Sequence, residues 1–328
     1  MKLFTLLIAL AAALSAQQPT IENAKPEARA FSGTLATELT RIGAGPFWVA
    51  YSEPIIAGQH GDRCSWNGNN DNGRTPGAPV RLEGEVALVV LIRVEAAQPD
   101  ELRVTSPDCR LDAGGLPFYW LNNVPVAESL AWLKTQVSGR HADIAIMAIS
   151  LHLGAAADQA LDELTATTQP VETRKRAAFW LGASRGAHGI ATLKRMLAGD
   201  PNSDVRDRVV FALSQSKDPA GIPLVIDAAR NDKDAHIRGQ ALFWLAQKAA
   251  AQVAKDAIQN ALANDPDSAV RERAVFALSQ IKNNEGVPML INLAKSHRDP
   301  AVRKKAMFWL GQSKDPRAVE FFAQVLKP

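Results

Sequence analysis

Thr173-Arg174-Lys175-Arg176-Ala177-Ala178-Phe179-Trp180-Leu181 decides the fold, because the chain writes this phrase five times. It returns as Val205-Arg206-Asp207-Arg208-Val209-Val210-Phe211-Ala212-Leu213 and as Ile237-Arg238-Gly239-Gln240-Ala241-Leu242-Phe243-Trp244-Leu245. Two further copies are Val270-Arg271-Glu272-Arg273-Ala274-Val275-Phe276-Ala277-Leu278 and Val302-Arg303-Lys304-Lys305-Ala306-Met307-Phe308-Trp309-Leu310. The central phenylalanines lie 32, 32, 33 and 32 residues apart. A fixed period of that length marks a stacked-repeat architecture.

Each unit predicts two helices. Val205, Val209, Ala212 and Leu213 fall at i, i+4, i+7 and i+8, one apolar stripe of a first helix. Connectors such as Lys217-Asp218-Pro219 and Lys314-Asp315-Pro316 end it. Ile222, Val225 and Ala229, and later Val287, Leu290 and Ala294, mark a second helix. Pro223 and Pro288 sit near its start, where a missing N–H costs least. Residues 141–172 align at the same offset, with Met147 in the phenylalanine position, as an atypical end repeat. Residues 141–328 thus read as one degenerate capping repeat plus five repeats of an α-helical solenoid, since a lone helix pair cannot bury both faces.

Upstream the period changes. Residues 1–16 have a positive start at Lys2, an apolar run from Leu3 to Ala13 and a small-residue end at Ala16, the pattern of a signal peptide. Residues 17–45 read as a polar lead-in with one helix over Leu35–Ile42. Residues 46–125 form a small β-rich domain, with strands at Phe47–Tyr51, Val86–Val94, Leu102–Thr105 and Pro117–Leu121 and a turn at Ala97–Asp100. Residues 58–79 are a loop rich in Gly, Asn, Asp and Pro, without the glutamate that closes a calcium-binding EF-hand loop. Residues 126–140 supply a connecting helix.

Export places the chain in the periplasm or outside the cell, where Cys64 and Cys109, its two cysteines, can form a disulfide; two free thiols or half a metal site are the alternatives. The formal net charge of +3 is unevenly spread: residues 171–328 hold 25 Lys+Arg against 16 Asp+Glu. That excess favours an acidic protein or peptide partner, or docking between the two halves, and export argues against nucleic acid. The apolar run at the start is too short for a membrane span. Phe321 and Phe322 leave apolar area at the far tip, which predicts self-association.

In register, the acid ahead of an apolar-Arg pair, the Ala274-Val275-Phe276-Ala277-Leu278 core and the connector to a second apolar helix resemble HEAT-type repeats, specifically the phycobilisome lyase-like class. The resemblance covers roughly residues 141–328. It implies that Asp–Arg pairs link neighbouring units, which makes Arg174, Arg206, Arg238, Arg271 and Arg303 structural, with Asp204, Asp234, Asp267 and Asp299 as the nearby acids. The class includes chromophore lyases, a metal-dependent hydroxylase and binding scaffolds. Its hydroxylase members hold iron on His-Glu pairs, whereas none of the six histidines here is followed by Glu. No catalytic residue, metal ligand or cofactor is implied for this chain. A non-catalytic scaffold for protein–protein interaction is the leading expectation, and a lyase-like or hydroxylase-like enzyme is the alternative.

On a helical wheel, positions i, i+3 and i+7 share a stripe away from the packed face. They give Arg176-Phe179, Arg208-Phe211-Gln215, Gln240-Phe243-Gln247, Arg273-Phe276-Gln280 and Lys305-Phe308-Gln312. A ring flanked by a cation and an amide in every unit suits a groove for an extended acidic chain, and the competing reading packs the rings between units. Trp180, Trp244 and Trp309 alternate with Ala212 and Ala277. That large–small alternation reads as interdigitated packing rather than a ligand cage.

Overall fold

The computed structural model describes residues 18–56, 64 and 87–326. The expected leader at 1–16 and nearly all of the 58–79 loop lie outside the described residues. The chain divides into two compact units. One takes in the residues up to Gln136 with Leu151–Gly154, the other Val137–Ser150 and Ala155 onward.

The first unit is built on a mixed five-stranded sheet ordered β2-β7-β3-β4-β5. Its strands are β2 (Pro26–Ala30), β3 (Phe47–Pro54), β4 (Ala87–Glu95), β5 (Gln98–Thr105) and β7 (Phe118–Asn122). A parallel pair of β1 (Thr20–Glu22) and β6 (Arg110–Asp112) lies apart from it. Residues 17–45 therefore supply two strands besides α1 (Leu35–Ile42). Strand β3 alternates Trp48 and Ala50 onto one face with Val49 and Tyr51 onto the other, and all four are buried. On the first face Trp48, Val89, Leu91, Phe118 and Trp120 form one cluster. On the second, the Tyr51 hydroxyl meets Ser129 Oγ of α2 (Val126–Thr135) at 3.0 Å.

The β4–β5 turn departs from the expected Ala97–Asp100. It is the two-residue Ala96-Ala97, with φ of 50° and 60°, and Glu95 pairs with Gln98. Such a turn favours Asn-Gly, so alanines there leave no signal, and the conspicuous Pro99-Asp100 falls inside the strand. Pro99 is tolerated because β5 is an edge strand. Cys64 and Cys109 form a disulfide that closes a 45-residue separation. Among the described residues no helix is long and apolar enough to cross a membrane.

The second unit is an α-helical solenoid. It begins with α3 (Ala142–Leu151) and α4 (Ala155–Leu164), the degenerate pair, in which Met147 is buried. The first helices of the five full units are α5 (Val171–Ser184), α7 (Ser203–Gln215), α9 (Ala235–Lys248), α11 (Ser268–Ser279) and α13 (Pro300–Gln312). Their partners are α6 (Gly186–Gly199), α8 (Gly221–Asn231), α10 (Ala251–Asn264), α12 (Val287–Ser296) and α14 (Pro316–Val325). Asn202, Asp234, Asp267, Asp299 and Asp315 cap the helices that follow them by accepting backbone N–H bonds. Within a unit the helices approach closely: a Cβ on Gly221 would sit 2.4 Å from the Leu213 carbonyl oxygen, and one on Gly286 2.0 Å from that of Leu278. The stripe Val205, Val209, Ala212 and Leu213 is buried, as are its counterparts in the later units except Trp244 and Trp309, which are half-buried.

Glu53 is 2% exposed, and its Oε1 has no hydrogen-bond partner. Burial raises its pKa from 4.5 to about 8, so the folded chain holds this carboxyl protonated at neutral pH. The associated stability is fully present below about pH 4.5 and is lost as pH rises through about 8, because only the unfolded state releases the proton early. The melting temperature of the wild type is expected to fall relative to Glu53→Gln between pH 5 and 8.5. Parallel melting curves for the two proteins across that range would refute this assignment.

Candidate functional site

Five arginines begin the first helices, and the first four are gripped along two edges. Arg206 Nη1 donates to the Asp200 carbonyl at 3.1 Å, while Nε and Nη2 fork the Asp232 carboxylate at 3.0 and 3.1 Å. Arg238 repeats this with the Asp232 carbonyl at 3.0 Å and the Asp265 carboxylate at 2.7 and 2.9 Å. Arg174 forks Asp200 at 2.8 and 3.1 Å. Arg271 reaches the Asp265 carbonyl at 2.9 Å and the Asp299 carboxylate at 3.1 Å. Asp200, Asp232 and Asp265 thus each take one arginine on the side chain and the next on the backbone, and the units are joined in series.

The acids are not those the sequence places beside the arginines. Asp200, Asp232 and Asp265 replace Asp204, Asp234 and Asp267. Asp234 and Asp267 serve as helix caps instead, and only Asp299 does both jobs. The signal is present in the sequence, since Asp200, Asp232 and Asp265 recur at 32 and 33 residues like the arginines. In the last unit that position is His297, whose Nδ1 accepts the Asp299 N–H at 3.2 Å. Arg303 donates to the His297 and Arg298 carbonyls at 2.7 and 3.2 Å. The side chains are 3% and 4% exposed in the Arg206–Asp232 pair but 21% and 23% in Arg271–Asp299. Burial pushes the Asp265 carboxyl up, yet bonds from Arg238 and the Asp267 N–H outweigh it and hold the group below the ordinary range.

The remaining candidates gather on one strip across the same first helices. Phe179 stacks on Phe211 with centroids 6.1 Å apart, and Phe211 meets Trp244 at 4.8 Å. Phe243 stacks on Phe276 at 5.8 Å, and Phe276 meets Trp309 at 4.8 Å. Edge contacts of Trp180 with Phe179, Trp244 with Phe243 and Trp309 with Phe308 close one unbroken series of eight rings. The tryptophans are half-buried beside the phenylalanines, while Ala212 and Ala277 are fully buried; Phe308 is 54% exposed. The rings therefore both pack between units and present an edge to solvent.

Cations flank the rings on one side. The Arg208 guanidinium lies over Phe211 at 5.4 Å, a cation–π contact. Arg176 pairs with Asp143 at 2.8 Å, Arg273 donates to Gln240 Oε1 at 2.9 Å, and Lys305 lies 3.5 Å from Glu272. On the other side Gln247 donates to Gln280 at 3.4 Å, and Gln215 donates to Ser214 at 3.0 Å. Gln312 lines a cleft of about 360 Å³ with Trp309 and Gln280.

With this geometry in place, residues 157–246 and 256–328 match the family model described as HEAT repeats. The chain is a HEAT-repeat protein. Two solved structures are similar to parts of the chain. Human deoxyhypusine hydroxylase, in complex with glycerol, is 14% identical over 62% of this chain and 91% of that one, with a TM-score of 0.27. The complex of CpcE and CpcF of phycocyanin lyase from Nostoc sp. PCC7120 is 21% identical over 62% of this chain and 83% of that one, with a TM-score of 0.29. No curated protein matches the chain.

The histidines of the HEAT units do not converge. His188 meets Asp162 at 3.2 Å on the second helices, His297 supports Asp299, and His236 is exposed. His152 bonds Ser129 at 2.8 Å inside the first unit. Among the described residues, the one group of metal-ligand type is Cys64, Asp108 and Cys109, and its two sulfurs are joined to each other.

Asp232→Ala would strand the buried Arg206 fork, and removing one partner of a buried pair costs about 3–5 kcal/mol. Denaturant unfolding is expected to show that loss, with a clearly smaller one for Asp299→Ala, whose pair is wetter. Equal losses at the two positions would refute the seriesed ladder as the inter-unit link.

Proposed function

We propose that the chain is an exported, non-catalytic HEAT-repeat scaffold that binds a protein or peptide of acidic character along the aromatic strip of its first helices. The observation that carries this reading is the unbroken series of eight rings with cations along one edge. Rings at half burial offer apolar area at little cost in side-chain freedom, and arginine beside them adds charge complementarity. The disulfide supports an oxidising compartment, periplasmic or extracellular.

The strip fits this role better than chemistry. Catalysis needs a nucleophile, acid or base aimed at one point, whereas these groups are spread along a line. A pull-down from exported-fraction lysate with wild type and with Arg208→Glu, Phe211→Ala, Arg273→Glu and Phe276→Ala combined tests the surface. At least one captured protein is expected to be lost with the combined variant. Retention of every partner would remove the strip from consideration, and stoichiometric iron in the purified protein would favour a hydroxylase-like activity instead.

Self-association belongs to the same proposal. Phe321 is buried and Phe322 half-buried, against the expectation that they leave apolar area at the tip, but Phe308, Val319, Val325 and Leu326 are large exposed apolar side chains on or beside the last two helices. Light scattering is expected to give a mass that rises with concentration and returns to the monomer with Val319→Glu. A constant monomer mass up to high concentration contradicts it.

A further inference from the structure

Although the sequence repeats every unit, the strip repeats every second one. Tryptophan stands at 180, 244 and 309, with alanine at 212 and 277 between. Each unit therefore contributes differently to the surface. Phe211 of one unit meets Trp244 of the next, and Phe276 meets Trp309, both at 4.8 Å and both tilted. The Phe–Phe step that precedes each of them is stacked nearly parallel. Two equivalent Phe–Trp steps result, offset by 65 residues.

The charges follow the same double period. Arg208 and Arg273 occupy the matching position in the two steps. Their contacts are a ring face for Arg208 and a Gln240 amide oxygen for Arg273, with no carboxylate within ion-pair distance among the described residues. The cations of the alternate positions on either side, Arg176 and Lys305, already face Asp143 and Glu272, and the position between the two sites is the uncharged Gln240. Gly239 makes room for the Arg273 stem, since a Cβ there would lie 2.6 Å from Arg273 Cδ. The second step opens into a cleft of about 450 Å³ lined by Arg273, Phe276, Lys305 and Trp309.

Two buried polar atoms on these helices have no partner among the described residues. Asp207 Oδ1, one residue before Arg208, lacks a donor. Trp309 Nε1 lacks an acceptor. Such atoms cost free energy unless something answers them.

Resting on the reading given under Proposed function, we infer that the strip is a two-site receptor for one extended acidic polypeptide segment, whose carboxylates pair with Arg208 and Arg273 while neighbouring apolar side chains sit on the Phe211–Trp244 and Phe276–Trp309 steps. Packed helices lie 8–10 Å apart, so two units separate the sites by about 20 Å. An extended chain rises about 3.3 Å per residue, so the two acidic–apolar pairs fall about six residues apart.

The test uses the full chain and synthetic Ser/Thr-rich peptides carrying one Glu-Leu pair, or two pairs spaced three, six or nine residues apart, with binding read by intrinsic tryptophan fluorescence. The six-residue spacing is expected to bind at least about tenfold tighter than the single pair or the other spacings, because the second contact becomes intramolecular. Arg208→Gln or Arg273→Gln alone should bring it to the single-pair level, with thermal melting unchanged. Binding that ignores spacing, or that survives both substitutions, overturns the two-site receptor and leaves the scaffold reading standing if the pull-down holds. Failure of every peptide to bind overturns the inference and the acidic-peptide partner together.

Discussion

A guanidinium answered on two edges from two directions holds the solenoid in register. One edge closes on carbonyls at the turn just before its own helix, and the other forks a carboxylate that ends the same unit and opens the next. Arginine suits this because its planar fork matches a carboxylate bidentately and stays charged when buried. Lysine would supply the charge without the geometry. The desolvation cost is met only because nearly every donor finds an oxygen, which ties the fold to having the right acid at the right offset.

That joint fixes the spacing and rotation of successive first helices, and the aromatic strip follows from it. Rings 32 or 33 residues apart meet at stacking distance because the helices that carry them are pinned one turn away. Alternating tryptophan with alanine then staggers the rings, so that layers fit without voids while edges stay open. In the proposed function, packing and recognition would not compete for these side chains. A half-buried ring is ordered by its neighbours before anything binds, which lowers the entropy cost of contact.

Much of this is legible in the residues alone. The repeated phrase gives the helix pairs, and Leu35–Ile42 is a helix over the span its pattern marks. Other features are hidden by ambiguity. The dipeptide Asp-Pro means a helix cap at Asp299-Pro300, but at Asp200-Pro201 and Asp265-Pro266 it marks the end of the preceding helix and the arginine's acid. Composition cannot separate the two, because both roles want a short carboxylate at a chain reversal. The short parallel strands β1, β2 and β6 carry no alternating pattern of their own and exist through the partners they find. The double period of the strip is visible in the tryptophans, yet its meaning depends on which rings touch.

The arginine joints grow wetter along the array, from Arg206–Asp232 to Arg271–Asp299. Screening by water weakens the later coupling, and in a one-dimensional array a weak joint confines fluctuations to the segment beyond it. Helices α13 and α14 are therefore held to the units before them by the most hydrated of these joints. The Phe211–Trp244 step rests on the driest joints and the Phe276–Trp309 step spans the wettest, so in the proposed two-site receptor the first would be the fixed anchor and the second the latch that adjusts to its occupant.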